Sequence, residues 1–312
     1  MTGKTALVAH AQRSIARGSL SFSLASRLFD RETRERAWLL YAWCRACDDI
    51  TDAQQAGHGM RVVDDARERL ATVRRLTDAA LSGEKTGQSA FDALSMVVRE
   101  TAMPDRYPRE LVAGMALDST GFRPQTEGDL MLYCWHVAGV VGVMMALIMG
   151  VSPDDRVTLL RACDLGISFQ LNNIARDIVE DSQNGRCYLP ATWLADCGLD
   201  VVTFSDTLHR DRLAQIAARL VDLAETYEES ALYGTPALPH RSAAAVIAAA
   251  GIYGAIGRKV RRLGPHAWDA RVRTSTFEKL WWAVKAQAIS FARFRRWRNP
   301  PPRTHLWTPP AL

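Results

Sequence analysis

Two acidic stripes carry the residues of this chain that could do chemistry. In Tyr41-Ala-Trp-Cys-Arg45-Ala-Cys-Asp48-Asp49-Ile-Thr-Asp52, a helical step of about 100° per residue puts Arg45, Asp48, Asp49 and Asp52 on one face. Like charges one turn apart destabilise an isolated helix by about 0.2–0.5 kcal/mol, so this face calls for a cation opposite it. Alone, the stripe would equally suit a solvated helix surface. A second stripe repeats the spacing: in Gln170-Leu-Asn-Asn173-Ile-Ala-Arg176-Asp177-Ile-Val-Glu180-Asp181, residues Gln170, Asn173, Asp177 and Asp181 share a face about 80° wide. Leu171, Ile174, Ala175, Ile178 and Val179 fill the rest of that helix, which implies burial by neighbouring elements. Buried carboxylates need partners. Hard oxygen ligands at this spacing suit Mg²⁺, which is held by one or two protein carboxylates and shared with the phosphates of a substrate. The pairing points to a diphosphate site.

The elements that must hold these stripes are helical. Helical patterns run over Arg31 to Ile50, Val62 to Ser82, Ser89 to Met103, Gly128 to Met149, Asp154 to Asp181, Asp206 to Leu232, Ser242 to Leu263 and Thr274 to Trp297. Gly- and Pro-containing turns separate them, none long enough to be a domain linker, and strand-like alternation is almost absent. With 312 residues, 48% of them hydrophobic, the chain can bury a large core, which excludes a disordered or fibrous protein. The expected architecture is one all-α domain over residues 1–299, its helices packed around a shared interior. A Pro-rich tail, 300–312, is expected to be extended and loosely held.

Thirty-nine Lys+Arg against 34 Asp+Glu give +5, too mild for a nucleic-acid binder but suited to an anionic ligand or a membrane surface. Met1 to Arg17 is interrupted by Lys4, His10, Gln12 and Arg13 and lacks a secretory apolar stretch, so a cytoplasmic location is expected. The six cysteines are read as free buried thiols, because Cys44-x-x-Cys47 has no second pair to complete a zinc site. Leu130 to Val151 contains no charged residue and is long enough to cross a bilayer. Its Tyr133, Trp135, His136, Gly139 and Gly142, with acids flanking it, favour a buried central helix lining an apolar cavity.

The two aspartate motifs resemble those of the squalene/phytoene synthase family. Tyr133-Cys-Trp-His-Val-Ala138-Gly139-Val-Val-Gly142 is similar to that family's Y-x-x-x-V-A-G-x-V-G helix. Gly185-Arg186-Cys187-Tyr188-Leu189-Pro190 resembles the segment after its second aspartate motif, and Ser19-Leu-Ser21-Phe22 resembles its N-terminal element. The resemblance runs from about Ser19 to Arg273 and is closest in detail to bacterial phytoene-forming members. It implies an isoprenoid-synthase helical bundle that encloses a central apolar cavity. The implied activity is that of a prenyltransferase, joining two geranylgeranyl diphosphates head to head through prephytoene diphosphate to phytoene.

On that resemblance, Asp48, Asp52, Asn173, Asp177 and Asp181 would hold Mg²⁺ or Mn²⁺, and Asp48, Asp52, Asp177, Asp181, Arg45 and Tyr41 form the catalytic set. Ser19, Ser21, Phe22, Arg45, Tyr133, Gln170, Asn173, Arg176, Tyr253 and Arg271 would contact substrate. Ser19 and Ser21 could instead cap the next helix, and the neighbouring Arg273 could take the place of Arg271. Aromatic faces such as Phe22, Phe29 and Tyr41 could stabilise a carbocation or serve as ordinary core. NADPH is not expected, since phytoene forms by proton loss and no Gly-rich βα fingerprint is present. Arg258, Lys259, Arg261 and Arg262, then Arg293, Arg295, Arg296 and Arg298, concentrate charge towards the C-terminus. A solvated face, or contact with the inner face of the cell membrane, would account for them. Two other readings stand beside the first: a squalene or dehydrosqualene synthase using farnesyl diphosphate, and a non-enzymatic helical scaffold that binds metal.

Overall fold

A computed structural model describes residues 3–51, 65–310 and 312, without the side chains of Leu20 and Ser21. Asp52 therefore lies outside the described residues. The helices are α1 (Gly3–Gly18), α2 (Leu20–Ser26), α3 (Arg31–Thr51), α4 (Ala66–Leu81), α5 (Ser89–Thr101), α6 (Arg106–Ser119) and α7 (Glu127–Cys134). They continue as α8 (Val140–Ile148), α9 (Arg156–Gln183), α10 (Ala191–Asp196), α11 (Arg210–Leu232), α12 (His240–Leu263) and α13 (Thr276–Arg296). No strand occurs among the described residues.

Each helical pattern read from the sequence corresponds to one or more of these elements, and the structure adds α1, α2, α6 and α10. Helix α6 escaped because Pro104 to Pro108 reads as punctuation. Pro108 in fact sits in the first turn of α6, where its missing N–H would have had no intrahelical acceptor. The apolar run after Glu127 is continuous but changes pitch: Trp135–Gly139 forms one π-helical turn between α7 and α8. Glu110 of α6 holds that turn, accepting from Trp135 Nε1 at 3.1 Å and lying 2.9 Å from His136 Nδ1.

Helix α9 runs through the middle of the bundle, against α8 on one side and α11 and α12 on the others. Two glycines permit its crossing with the α7–α8 segment. A Cβ on Gly166 would stand 2.1 Å from the Ala138 carbonyl oxygen, and one on Gly142 would stand 2.2 Å from the Ala162 carbonyl oxygen. Backbone meets backbone here, which explains why small residues occupy both segments. Glu127–Ile148 and His240–His266 are each apolar and long enough to span a bilayer, yet both lie mostly buried in the bundle, as core helices do. All six cysteines are free, and burial pushes the Cys44, Cys47, Cys134 and Cys163 thiols up.

The C-terminal tail departs from expectation, because it is tied down. Arg303 Nη2 and Nε reach Asp164 of α9 at 2.5 and 2.8 Å, and Asp164 is completely buried. Ser230 donates to the same carboxylate, Arg161 donates to the Pro301 carbonyl at 2.7 Å, and the Trp307 N–H donates to Tyr227 Oη at 3.1 Å. Proline prevents helix formation there, but it does not prevent an arginine from docking on a buried charge.

Candidate active site

The described carboxylates of both stripes lie in the last turns of their helices. Asp48 and Asp49 close α3, and Asp177, Glu180 and Asp181 close α9, with no basic residue in the last turn of either. The partial negative charge of a helix C-terminus disfavours carboxylates, so local stability argues against this placement and an external cation argues for it.

At the α9 end the structure supplies part of that cation. Asp177 accepts from Arg176 Nε at 2.8 Å and from Arg271 Nη2 at 3.1 Å, while Arg271 Nη1 donates to Glu180 Oε2 at 2.6 Å. Arg271 is thus the arginine that meets the acidic end of α9. The backbone carbonyl of Arg273 accepts from Lys259 Nζ at 3.0 Å. Asp181 has no such pair among the described residues: burial first, then Asp177, Glu180 and Asp118, push its carboxyl up to about 7 against the opposing pull of Arg186. Tyr133 stacks on Tyr188 with centroids 4.6 Å apart, and both hydroxyls donate to Asp118, Tyr188 at 2.7 Å and Tyr133 at 3.2 Å.

At the α3 end, Arg45 Nη1 lies 3.4 Å from Asp48 Oδ2. Burial works against the Arg45 charge, but Asp48, Tyr41 and Asp49 outweigh it, so its pKa is raised. A Cβ on Gly18 would fall 2.3 Å from Tyr41 Oη, so the glycine ending α1 clears space for Tyr41 and Arg45. Ser19 does cap α2, its Oγ accepting from the Phe22 N–H at 3.2 Å, and it also sits beside the Tyr253 hydroxyl. Burial pushes Tyr253 up to about 12, with Arg176 opposing, Tyr41 adding, and Ser19 and Arg45 opposing. One hydroxyl thus feels arginines from both stripes. Ser21 is the second residue of α2, and its side chain lies outside the described residues.

An aromatic cluster from four helices floors this region. Tyr253 of α12 stacks on Phe169 of α9 at 4.3 Å and on Phe22 of α2 at 5.2 Å, and Phe22 lies edge-on to Tyr41 of α3 at 6.4 Å. Phe29 is buried in the general core instead. Gln170 and Asn173 are half-buried, and neither amide has a hydrogen-bond partner among the described residues. Tyr41 Oη and Arg45 Nε are likewise buried without one. Such unpaired donors and acceptors are what a polar ligand would satisfy.

Sequence reasoning missed Phe169, Asp118 and Tyr188 as members of this constellation. A usable signal existed for Asp118, the lone acid on the α6 face that carries Leu111 and Met115. Phe169 resembles any core aromatic until Tyr253 is placed against it.

The carboxylates suit a shared cation better than a closed cage. Among the described residues no three His, Cys, Asp or Glu side chains converge as a metal site. Mg²⁺ keeps waters and takes substrate phosphate oxygens alongside one or two protein carboxylates, which two separate acidic helix ends provide.

The squalene/phytoene synthase family matches this chain over residues 15–278. The chain belongs to that family. It is 44% identical over 307 residues to the 15-cis-phytoene synthase of Pantoea ananas, covering 97% of this chain and 98% of the relative. It is 42% identical to the 15-cis-phytoene synthase of Paracoccus sp. (strain N81106), covering 88% of each. A solved dehydrosqualene synthase superposes with a TM-score of 0.83 at 25% identity, covering 93% of this chain and 98% of that one. The squalene synthase of Alicyclobacillus acidocaldarius shares the fold, with a TM-score of 0.67 at 21% identity over 96% of this chain and 97% of that one. The family's helical bundle is the architecture described above.

Proposed function

We propose that this chain is a phytoene synthase, a prenyltransferase that condenses two geranylgeranyl diphosphates into phytoene and releases two diphosphates. The observation that carries the reading is the junction at Tyr253. There the arginines of both acidic helix ends meet a cluster of aromatic faces, in a chain 44% identical to a 15-cis-phytoene synthase.

Breaking the allylic C–O bond leaves a diphosphate and a carbocation, and the residues divide between the two. Arg45, Arg176 and Arg271 donate to diphosphate oxygens, a fork geometry suited to phosphate. Mg²⁺ or Mn²⁺, bound with Asp48, Asp177 and Asp181 and assisted by Asn173, would neutralise the leaving group and lower the cost of C–O cleavage. Gln170 and the Tyr41 hydroxyl orient the diphosphate. The faces of Phe22, Tyr41, Phe169 and Tyr253 stabilise the cation without quenching it, as water would. The double bond of the second prenyl chain attacks the cation, a proton leaves to the released diphosphate, and prephytoene diphosphate results. A second ionisation, rearrangement and proton loss give phytoene.

Val137, Val141 and Met145 remain only half-buried on the most apolar segment of the molecule, packed against its core, and offer a wall for the prenyl tails. The solved dehydrosqualene synthase keeps a shorter substrate in view, so the deciding experiment is product analysis with Mg²⁺ and both C15 and C20 diphosphates. Phytoene from the C20 substrate is the expected outcome. A C30 hydrocarbon with the C20 substrate ignored would replace this reading with the farnesyl-using one, and absence of diphosphate release from either would leave the scaffold.

A further inference from the structure

Helix α13 is apolar on two opposite faces, and only one of them is covered. Ala286, Ser290, Arg293 and Trp297 point into the bundle, and the Trp282 ring fills the space that a side chain at Gly251 of α12 would need. About 160° round the helix run Phe277, Leu280, Trp281, Val284, Phe291 and Phe294, all between 50% and 78% exposed. Six large apolar side chains in one exposed stripe are far from the scattered singles that any surface carries.

The charges around the stripe are of one sign. Between Thr276 and Arg298 there is a single acid, Glu278, against six Lys and Arg, and Lys259 neutralises that acid at 2.7 Å. Lys285 and Arg296 flank the stripe over the rings of Trp282 and Trp297, and Arg295 and Arg298 continue it at its C-terminal end. The rest of the basic end reads differently from the sequence expectation. Arg258 and Arg261 are absorbed by Glu225, Glu228 and Asp222 of α11, and Arg293 is buried.

We propose that the Phe277–Phe294 face of α13 is a docking surface for an anionic lipid bilayer, entered side-on with its aromatics in the headgroup region. A second copy of the chain fits the same apolar stripe poorly, because a two-fold contact would set the same cations against one another. Anionic headgroups complement them instead. The surface stands on α13 alone, whereas its purpose rests on the prenyl diphosphate reading. Helix α13 packs on α12, which carries Tyr253, and touches α2, which carries Phe22, so docking brings the aromatic cluster within one helix layer of lipid.

The test is sedimentation of the full chain with phosphatidylcholine vesicles, with and without phosphatidylglycerol, read alongside the Trp emission shift and its quenching by brominated acyl chains. Binding should be at least about tenfold stronger with the anionic lipid, weaken at high salt, and quench tryptophan emission. Trp281→Glu/Phe291→Glu should lose at least about tenfold in binding, and Lys285→Glu/Arg295→Glu should lose the preference for anionic lipid. Thermal unfolding of both variants, and their diphosphate release in detergent, should match the parent. Equal binding by the first variant, no vesicle binding by the parent, or a parent dimer that this variant turns into a monomer would overturn the proposal. Vesicle binding without any diphosphate release would uphold the surface and reject the enzymatic reading instead.

Discussion

Arg271 Nη2 donates to Asp177 Oδ2 at 3.1 Å across 94 residues of sequence, and the same guanidinium reaches Glu180. The loop after α12 thereby places a fixed positive charge over the acidic end of α9. Arg271→Ala should raise KM for the prenyl diphosphate by about ten- to a hundredfold, the loss of one charge-assisted phosphate contact of about 1.5–3 kcal/mol. Arg273→Ala should leave KM unchanged. Steady-state release of diphosphate measures both.

On the proposed function, Asp181 gives the reaction a pH dependence of defined sign. Its carboxyl is pushed up to about 7 by burial and by Asp177, so protons would compete there with the proposed metal below that pH. The half-saturating Mg²⁺ concentration should rise by up to about tenfold per pH unit below 7 and level off above it. Asp118→Asn removes one of the negative neighbours and should move the break to lower pH, and Asp181→Asn should abolish it together with activity. Magnesium titrations at several pH values read all three.

The crossing of the π-helical turn and α9 leaves no room at Gly166. Gly166→Ala sets a methyl against the Ala138 carbonyl and the Gly139 Cα, both backbone. A loss of at least about 1–3 kcal/mol in urea unfolding is expected, more than the gain in helix propensity returns. Gly3→Ala, whose Cβ meets nothing, should be neutral or slightly stabilising in the same assay.

Arg303 holds the tail by pairing with a fully buried acid. Arg303→Met strands the Asp164 charge and should cost about 3–5 kcal/mol, while Asp164→Asn/Arg303→Met should recover part of that loss. Denaturant midpoints measure both, and limited proteolysis should cut the single variant after Asn299 first.

The helical class and the two acidic stripes with Arg45 and Arg176 are legible because each signal is local, whereas Tyr253 is singled out only by the family resemblance. A stripe of like residues on one helix face needs only a periodicity of 3.6 to be seen. What stayed hidden depended on contacts between distant segments. Asp118 has no neighbouring acid in sequence, and Tyr188 gains its meaning from Tyr133. Helix α6 was masked by a proline that its first turn tolerates.

The sequence by itself determined that two acidic helix ends exist, that apolar neighbours bury the helix of the second, and that the fold is all-helical. Periodicity and composition suffice for that. Only the tertiary structure decided that Arg271 rather than Arg273 meets Asp177, that Phe169 and Tyr253 form the floor between the stripes, and that Arg303 anchors the tail. Each of these joins side chains far apart along the chain, in directions that spacing cannot encode, and the packing of α9 against its neighbours sets those directions. The same packing leaves the second apolar face of α13 uncovered.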